Sequence, residues 1–462
     1  MNWNAILPEI VLSVGILIIF LTDLFFDKRY YKFNMFLSGF VPLFAFLSLP
    51  LVNLPAKAFF DVFHIENTNL IGKGVLYLIT SLSILSSYDY FRRKNSEYGE
   101  LGYLMLVSSL GLSLLMSSDN LGLLFISLEL SSVTLYILIG LFRRDYLSKE
   151  ASYKYLVIGT VGTSMLAFGS VFYYASTGGL FLRTYNEDNS LFLLGLLLIL
   201  SALALKVSSV PFHFWTPDAY EGAPTPITAY LSTAPKLALY FLLVNMASYF
   251  SHMKAWFVLI GFFAILSMFY ASFVAYAQKS VKRLLAYSSI AHAGYFLLGL
   301  VSIDKTLSSA LLFYVSVYTF AALGSFVILA VFEKRDGFSH ALSDYKGIGR
   351  HDTLLASFLS LLFFAMIGIP PMALFVGKLG IFMGLLKLDL MLLAVLFLIF
   401  SLVSAGYYLR VVVYMFMESG ENKWHKLHLS FGEAFTILVC ILAVFILGLF
   451  PNLLYDLITK GL

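Results

Sequence analysis

Residues 206–236 read KVSSVPFHFWTPDAYEGAPTPITAYLSTAPK. The apolar run SLFLLGLLLILSALAL leads into this stretch, and LALYFLLV follows it. It starts and ends on a lysine, Lys206 and Lys236, with Pro211 five residues after the first and Pro235 directly before the second. Proline deletes one helical hydrogen bond and clashes with the carbonyl four residues back, here Val207 for Pro211. The helix that carries Lys206 is therefore expected to break just beyond it. Inside a bilayer, freed carbonyls are tolerated where they line a cavity or find polar partners, and a lysine beside the break is well placed to use them. The alternative for Lys206 is snorkelling to a nearby cytoplasmic interface marked by His213, Trp215 and Asp218. Snorkelling is harder for Lys236, because apolar sequence runs on beyond it.

The rest of the chain has the same character. Of its 462 residues, 60% are hydrophobic and 12% charged, where soluble domains carry about 25% charged. That excludes a soluble enzyme, a nucleic-acid binder and a disordered scaffold. A net charge of +4 is too small and scattered to mark a nucleic-acid partner. The single cysteine, Cys440, excludes an internal disulfide and an iron–sulfur cluster held by this chain alone, since such clusters take about four thiolates. The fold class that remains is an all-α polytopic membrane protein.

A helix needs about 20 apolar residues to cross a bilayer, and about fourteen segments meet that criterion. They centre near Gly15, Ala45, Ile79, Leu110, Thr134, Val161, Leu197, Leu231, Ile265, Ala293, Phe320, Phe364, Phe397 and Leu442. The opening MNWNAILPEI has no basic region ahead of its apolar run, so it is expected to stay as a span rather than be cleaved. Lysines and arginines crowd the connections after odd-numbered spans: Lys28, Arg29, Lys32; Arg92, Arg93, Lys94; Arg143, Arg144, Lys149, Lys154; Lys279, Lys282, Arg283; Lys334, Arg335, Lys346, Arg350; Lys423, Lys426. The other side holds Lys57, Lys73, Arg183, Lys254, Lys305, Lys387 and Lys460. Basic loops stay inside, so the odd connections are expected to be cytoplasmic and both termini outside.

Four basic residues and one acid are left within apolar sequence: Lys206, Lys236, Lys378, Arg410 and Glu129. A charge at mid-bilayer costs about 2.5–3.5 kcal/mol on insertion scales, and such residues usually mark an ion or proton path. Glu129 lies in LGLLFISLELSSVTLYILIGLF; its structural alternative is a carboxyl bonded to Ser127 or Ser131. Lys378 lies in AMIGIPPMALFVGKLGIF, after Pro370 and Pro371, so a second helix break has a lysine beside it. Arg410 is permanently charged and cannot relay protons by titrating; it is given a structural role, snorkelling or pairing with an acid of a partner chain. His292, in AYSSIAHAGYFLLGL, suits a relay by its ordinary titration range and suits equally a neutral, hydrogen-bonded core position. His213 serves proton uptake or binds backbone. No spacing suggests a metal site, and no nucleotide motif is present.

The paired breaks point to inverted repeats around a midplane site. The expected division is a three-helix segment over 1–98, a first repeat over 99–250 (spans four to eight), a second over 251–418 (spans nine to thirteen) and a C-terminal helix over 419–462. The ionisable groups select the ion. An ammonium cannot coordinate sodium, but a buried one can release a proton because desolvation disfavours charge, and a nearby carboxylate opposes the release. A Glu–Lys pair of variable spacing is therefore a proton gate.

The 206–236 stretch closely resembles the antiporter-like membrane subunits of respiratory complex I, the NADH–quinone oxidoreductase; HFWTPDAYEGAPTP followed by STAPK is the N-type form. Further matches are KRLLAYSSIAHAGY, GIPPMALFVGKLGIF and the glutamate of ISLELSS. The similarity covers essentially the whole chain, including three leading helices that some animal mitochondrial versions lack. The resemblance implies two inverted five-helix repeats, each with one interrupted helix. It also implies a coupling pair in Glu129 and Lys206, a central relay lysine in Lys236 and a second-repeat lysine leading outward in Lys378. No cofactor is expected on this chain: NADH, FMN, iron–sulfur clusters and quinone would be handled by other subunits. Expected partners are the neighbouring antiporter-like subunit M and the small subunits K and J, in the inner membrane of a bacterium. One charge crossing 100 mV costs about 2.3 kcal/mol, so redox chemistry elsewhere would have to drive the transport. The competing readings are a cation/proton antiporter subunit of the multisubunit type and a membrane spacer without a transport role.

Overall fold

The structure is a computed structural model that describes residues 3–25, 30–185, 189–302, 304–420 and 426–462. Lys28, Arg29 and Lys423, used above to orient the chain, lie outside the described residues. Helices α1 (Leu7–Phe25) and α2 (Tyr31–Ser48) are followed by a hairpin, β1 (Ala56–Ala58) with β2 (Phe63–Ile65), and by α3 (Asn67–Arg93). Next come α4 (Glu100–Met116), α5 (Leu121–Ile139), α6 (Tyr146–Thr177), α7 (Ser190–Lys206), the short α8 (Trp215–Gly222) and α9 (Thr225–Leu231), and α10 (Ala234–Phe250). The chain continues through α11 (Lys254–Ala277), α12 (Val281–Leu298), α13 (Lys305–Phe332), α14 (Ile348–His351), α15 (Thr353–Ile367), α16 (Ala373–Lys387), α17 (Met391–Phe416), α18 (Phe431–Leu449) and α19 (Asn452–Gly461).

Local chemistry sets many of these boundaries. Asn120, Asp145, Asn189 and Asp304 cap α5, α6, α7 and α13 by accepting backbone N–H groups of the first turn, which satisfies donors a helix start leaves orphaned. Ser430 and Glu433 form a capping box on α18. Gly178 ends α6 and Gly368 ends α15, both at positive φ, a conformation glycine adopts without steric penalty.

Among the described residues, ten helices are long and apolar enough to cross a membrane, with α9 and α10 taken together. All fourteen centres expected from the sequence fall inside helices. Four of them lie outside that set of ten: α4, α7 and α15 are short, and α12 has Lys282 and Arg283 in its first turn. Helix α13 is the axis: its apolar window is wholly buried, and α3, α9, α10, α15, α16 and α18 pack around it. The window of α6 is only 28% buried, so α6 lies at the periphery and turns large apolar side chains such as Phe168 and Val171 outward.

With no water to expel between helices in lipid, small residues that allow close approach set the packing. Helices α6 and α7 meet at Gly169 and Gly195, where a Cβ added at Gly195 would lie 2.8 Å from the Tyr173 nitrogen and 2.9 Å from the Gly169 oxygen. Gly195→Leu therefore has to push α7, the helix that delivers Lys206, away from α6. Overpacking of this kind costs about 1–3 kcal/mol or more, and we expect less folded protein on a native gel and a lower melting temperature in detergent. Gly261→Ala, where an added Cβ meets no atom within 4 Å, should leave both unchanged.

Candidate functional site

The expected break beyond Lys206 is present: Lys206 is the last residue of α7, and Ser208 turns the chain at positive φ. At the break the Leu205 carbonyl accepts from the Ser208 N–H at 3.1 Å and from the indole Nε1 of Trp215 at 3.0 Å, not from the lysine. Lys206 reaches across to α5 instead, where its Nζ donates to Ser132 Oγ at 2.9 Å and Tyr136 Oη at 3.4 Å. Its Nζ is 3.7 Å from Glu129 Oε1. That oxygen accepts a 2.6 Å bond from Thr163 Oγ1 on α6, so the serines anticipated from the sequence are not its partners; Ser131 bonds Ser108. The pair is loose and asymmetric, with the Lys206 side chain 5% exposed and that of Glu129 24% exposed.

Lys236 sits in the first turn of α10, and a third interruption at Ser232 and Thr233 separates α10 from α9. The lysine is buried, and its Nζ donates to the carbonyl of Ser289 at 2.7 Å and to its Oγ at 2.5 Å. Ser289 Oγ also meets Tyr220 Oη at 3.3 Å. Lys378 lies in α16, past the break between α15 and α16. Here the lysine does take the freed carbonyls, Met366 at 3.0 Å and Ile367 at 2.8 Å, and adds Ser401 Oγ at 2.9 Å. A cavity of about 420 Å³ reaches Lys378 between α15, α16 and α17.

His292 lies near both of these lysines. Residues three and four apart share a helix face, so α12 presents Ser288, Ser289 and His292 together. Tyr314 Oη is 2.8 Å from His292 Nδ1, and Tyr408 Oη is 3.4 Å from Nε2. The hydroxyls of Tyr408 and Ser288 are hydrogen-bonded. Lys236 thus meets Ser289, and the adjacent Ser288 meets Tyr408, which with Tyr314 flanks His292, all on buried positions. Ser288 and Ser289 flank His292 in the sequence, but Tyr314 and Tyr408 went unnoticed there, because a hydroxyl among 29 tyrosines announces no partner.

Two further ionisable clusters were missed. Lys73, assigned above to an outer loop, is fully buried two turns into α3, where it pairs with Glu9 of α1 at 2.6 Å. Glu129 is therefore not the only acid within apolar sequence. At the other side, Glu333 follows α13 and accepts from Tyr90 Oη at 2.8 Å, from His340 Nε2 at 2.7 Å and from Thr225 Oγ1. Lys282 donates to the carbonyls of Glu221 and Ala223, and this cluster, with Arg143 and Arg144, lines a cavity of about 980 Å³. His213 packs edge-on against Tyr270, with ring centroids 4.7 Å apart. Arg410 donates to the carbonyl of Tyr276 at 2.7 Å, near the end of α11, where carbonyls lack intrahelical donors. The sequence did not suggest this partner.

A helical bundle whose interrupted helices hold buried lysines defines a multi-pass membrane protein of the antiporter-like class. Residues 118–404 match the family model described as NADH:quinone oxidoreductase/Mrp antiporter, TM. The chain is 57% identical over 463 residues to NADH-quinone oxidoreductase subunit N 1 of Aquifex aeolicus (strain VF5), covering 100% of both chains. It is 42% identical over 467 residues to NADH-quinone oxidoreductase subunit N 2 of Hydrogenobaculum sp. (strain Y04AAS1), covering 99% of each. A chain in the solved structure of respiratory complex I from Thermus thermophilus with bound Aureothin superposes with a TM-score of 0.84 at 27% identity, over 98% of this chain and 100% of that one. The chain belongs to the NADH:quinone oxidoreductase/Mrp antiporter transmembrane family, in its branch of NADH-quinone oxidoreductase N subunits.

The Glu333 cluster yields a pH prediction. Burial pushes the Glu333 carboxyl up, but the His340 hydrogen bond and charge, the Lys282 charge and the Thr225 hydroxyl outweigh it and hold the group at about 2, below its ordinary 4.5. A depressed carboxyl stabilises the fold above its ordinary value and loses that contribution as pH falls toward the folded one. Glu333→Gln should therefore lower the stability of the fold near neutrality. In melting experiments in detergent, the gap between wild type and variant should narrow as pH drops below about 4.5; a gap independent of pH contradicts the assignment.

Proposed function

We propose that this chain is the proton-translocating, non-redox membrane subunit of a bacterial NADH:quinone oxidoreductase, carrying protons along Glu129, Lys206, Lys236, His292 and Lys378. One observation carries the proposal. Among the described residues, the hydrogen-bond partners of Lys236 and Lys378 are neutral oxygens of serines and carbonyls. Each can release its proton without breaking an ion pair, and each is joined to hydroxyls that can pass one on. Lys206 has a carboxylate within reach, so the Glu129–Lys206 distance sets how firmly that proton is held. NADH, FMN, iron–sulfur clusters and quinone belong to other subunits in this reading.

The orientation argument supports both termini on the outer side of the inner membrane, fourteen crossings, and inverted repeats over 99–250 and 251–418. The large cavity around Glu333, His340 and Lys282 then faces the cytoplasm. Lys282 precedes Ser289, the partner of Lys236, by seven residues on α12, about 10 Å along the helix. Water in that cavity would come within two turns of the central lysine. The outward-facing apolar belt suits lipid and neighbouring membrane subunits, for which M, K and J are the expected partners.

Lys236→Ala tests the relay in membranes whose complex has first been shown to assemble on a native gel. Proton pumping and coupled quinone reduction should both fall; if both persist, the relay assignment is wrong. Sodium uptake by the purified complex in proteoliposomes would instead favour cation/proton antiport. Tyr408→Phe removes the hydroxyl that joins Ser288 to His292 while keeping the ring. Pumping measured by dye quenching should drop with assembly intact, and an unchanged rate would take Tyr408 off the path.

A further inference from the structure

We infer that Glu9 and Lys73 form a second proton-binding site, in the N-terminal three-helix segment, joined to the Glu129–Lys206 pair by a row of buried hydroxyls. The inference rests on the proton-translocating reading above. The pair is made by α1 and α3, with Lys73 Nζ donating to Glu9 Oε1 at 2.6 Å. Both side chains are buried, Lys73 completely, and Phe63 of the hairpin covers the ammonium at 4.6 Å. A structural pair has a weak rationale here, because replacing a buried ion pair with apolar residues is often neutral or stabilising. The carboxyl also has spare capacity: Glu9 Oε2 is buried and has no hydrogen-bond partner among the described residues.

The hydroxyl row starts at the carboxyl. Ser113 Oγ donates to Glu9 Oε1 at 2.5 Å and meets Tyr77 Oη at 2.7 Å. Ser109 lies one turn back on α4, and Thr80 one turn further along α3; their hydroxyls are 3.2 Å apart. The Tyr230 hydroxyl donates to the carbonyl of Met105 at 3.3 Å, while Ser108, next to Ser109 on α4, meets Ser131 Oγ on α5 at 3.0 Å. Ser131 is the neighbour of Ser132, which holds Lys206. Serine in a membrane helix often bonds back to its own helix; Ser108, Ser109 and Ser113 instead bond across helices. At the other end, Asn69, one turn outward of Lys73, lines a small polar pocket of about 50 Å³ with His64, Glu66 and Asp119.

The proton steps balance without an added reagent. The Lys73 N–H bond breaks as the Glu9 O–H bond forms, turning an ion pair into a neutral amine and acid with no change in total charge. The acid passes its proton to Ser113, whose own proton moves on along the row, and the amine is refilled from the outer pocket. Run in reverse, the same steps deliver a proton outward. The Glu129–Lys206 pair would thereby have a second outlet besides the route through Lys236.

The test is made in the assembled complex in membranes, with protons translocated per NADH oxidised as the readout. Glu9→Gln with Lys73→Met removes both charges together, so no unpaired charge is left to unfold the segment. Thr80→Val with Ser109→Ala cuts the row and leaves the pair intact. Each double variant is expected to lose part of the pumping stoichiometry while assembly on a native gel is normal. Normal stoichiometry in either assembled variant overturns the inference. Lys236→Ala is measured beside them for the rates of pumping and of NADH oxidation: if both are normal, the relay reading fails, whereas loss there with normal stoichiometry in the row variant defeats this inference alone.

Discussion

A charge or a bare backbone group inside a bilayer has no water to turn to, and each such group left unpartnered costs several kcal/mol. The structure depends on that constraint. Every interruption in a helix releases carbonyls, and every buried lysine needs acceptors. At the break between α15 and α16 the two needs meet, because Lys378 takes the carbonyls that Pro370 and Pro371 leave open. At the end of α7 they are met separately: Trp215 takes the carbonyl, and Lys206 turns to α5. The two breaks are therefore alike in sequence and different in chemistry. Of these two lysines, Lys206 alone faces a carboxylate among the described residues.

That difference bears on how the proposed relay would work. A lysine held by neutral oxygens is sensitive to hydration, since water is what it lacks. A lysine beside a carboxylate is sensitive to distance, since Coulomb energy falls with separation. The chain holds both kinds, and His292 with its two tyrosines lies near Lys236 and Lys378. A small shift of α5 or α7 would alter the Glu129–Lys206 spacing and leave the acceptors of Lys378 in place, so motion at one end can be converted into a change of charge state without remaking the whole site.

Much of the site was legible because charge is conspicuous in apolar sequence. Lys206, Lys236, Lys378 and Glu129 stood out from their runs, and Pro211, Pro370 and Pro371 located two of the breaks. Glu9 and Lys73 escaped notice because each lies near the end of its helix, where sequence alone cannot tell a loop lysine from a buried one. The interruption before Lys236 was missed because proline is tolerated in the first turn of a helix. Thr163, Tyr314 and Tyr408 carried no signal, since hydroxyl side chains are common in membrane helices and their partners lie on other helices.

The sequence by itself determined the class, the helical segments, the basic asymmetry between the two sides and the residues whose burial would be expensive, because composition and hydropathy are properties of each segment alone. Tertiary structure decided which oxygen each charge meets. It sent Lys206 to Ser132 and Glu129 to Thr163, set His292 between Tyr314 and Tyr408, and closed Glu9 on Lys73. Those pairings join residues tens to hundreds of positions apart. They follow from how helices approach at glycines and pack around α13, which no local pattern in the chain encodes.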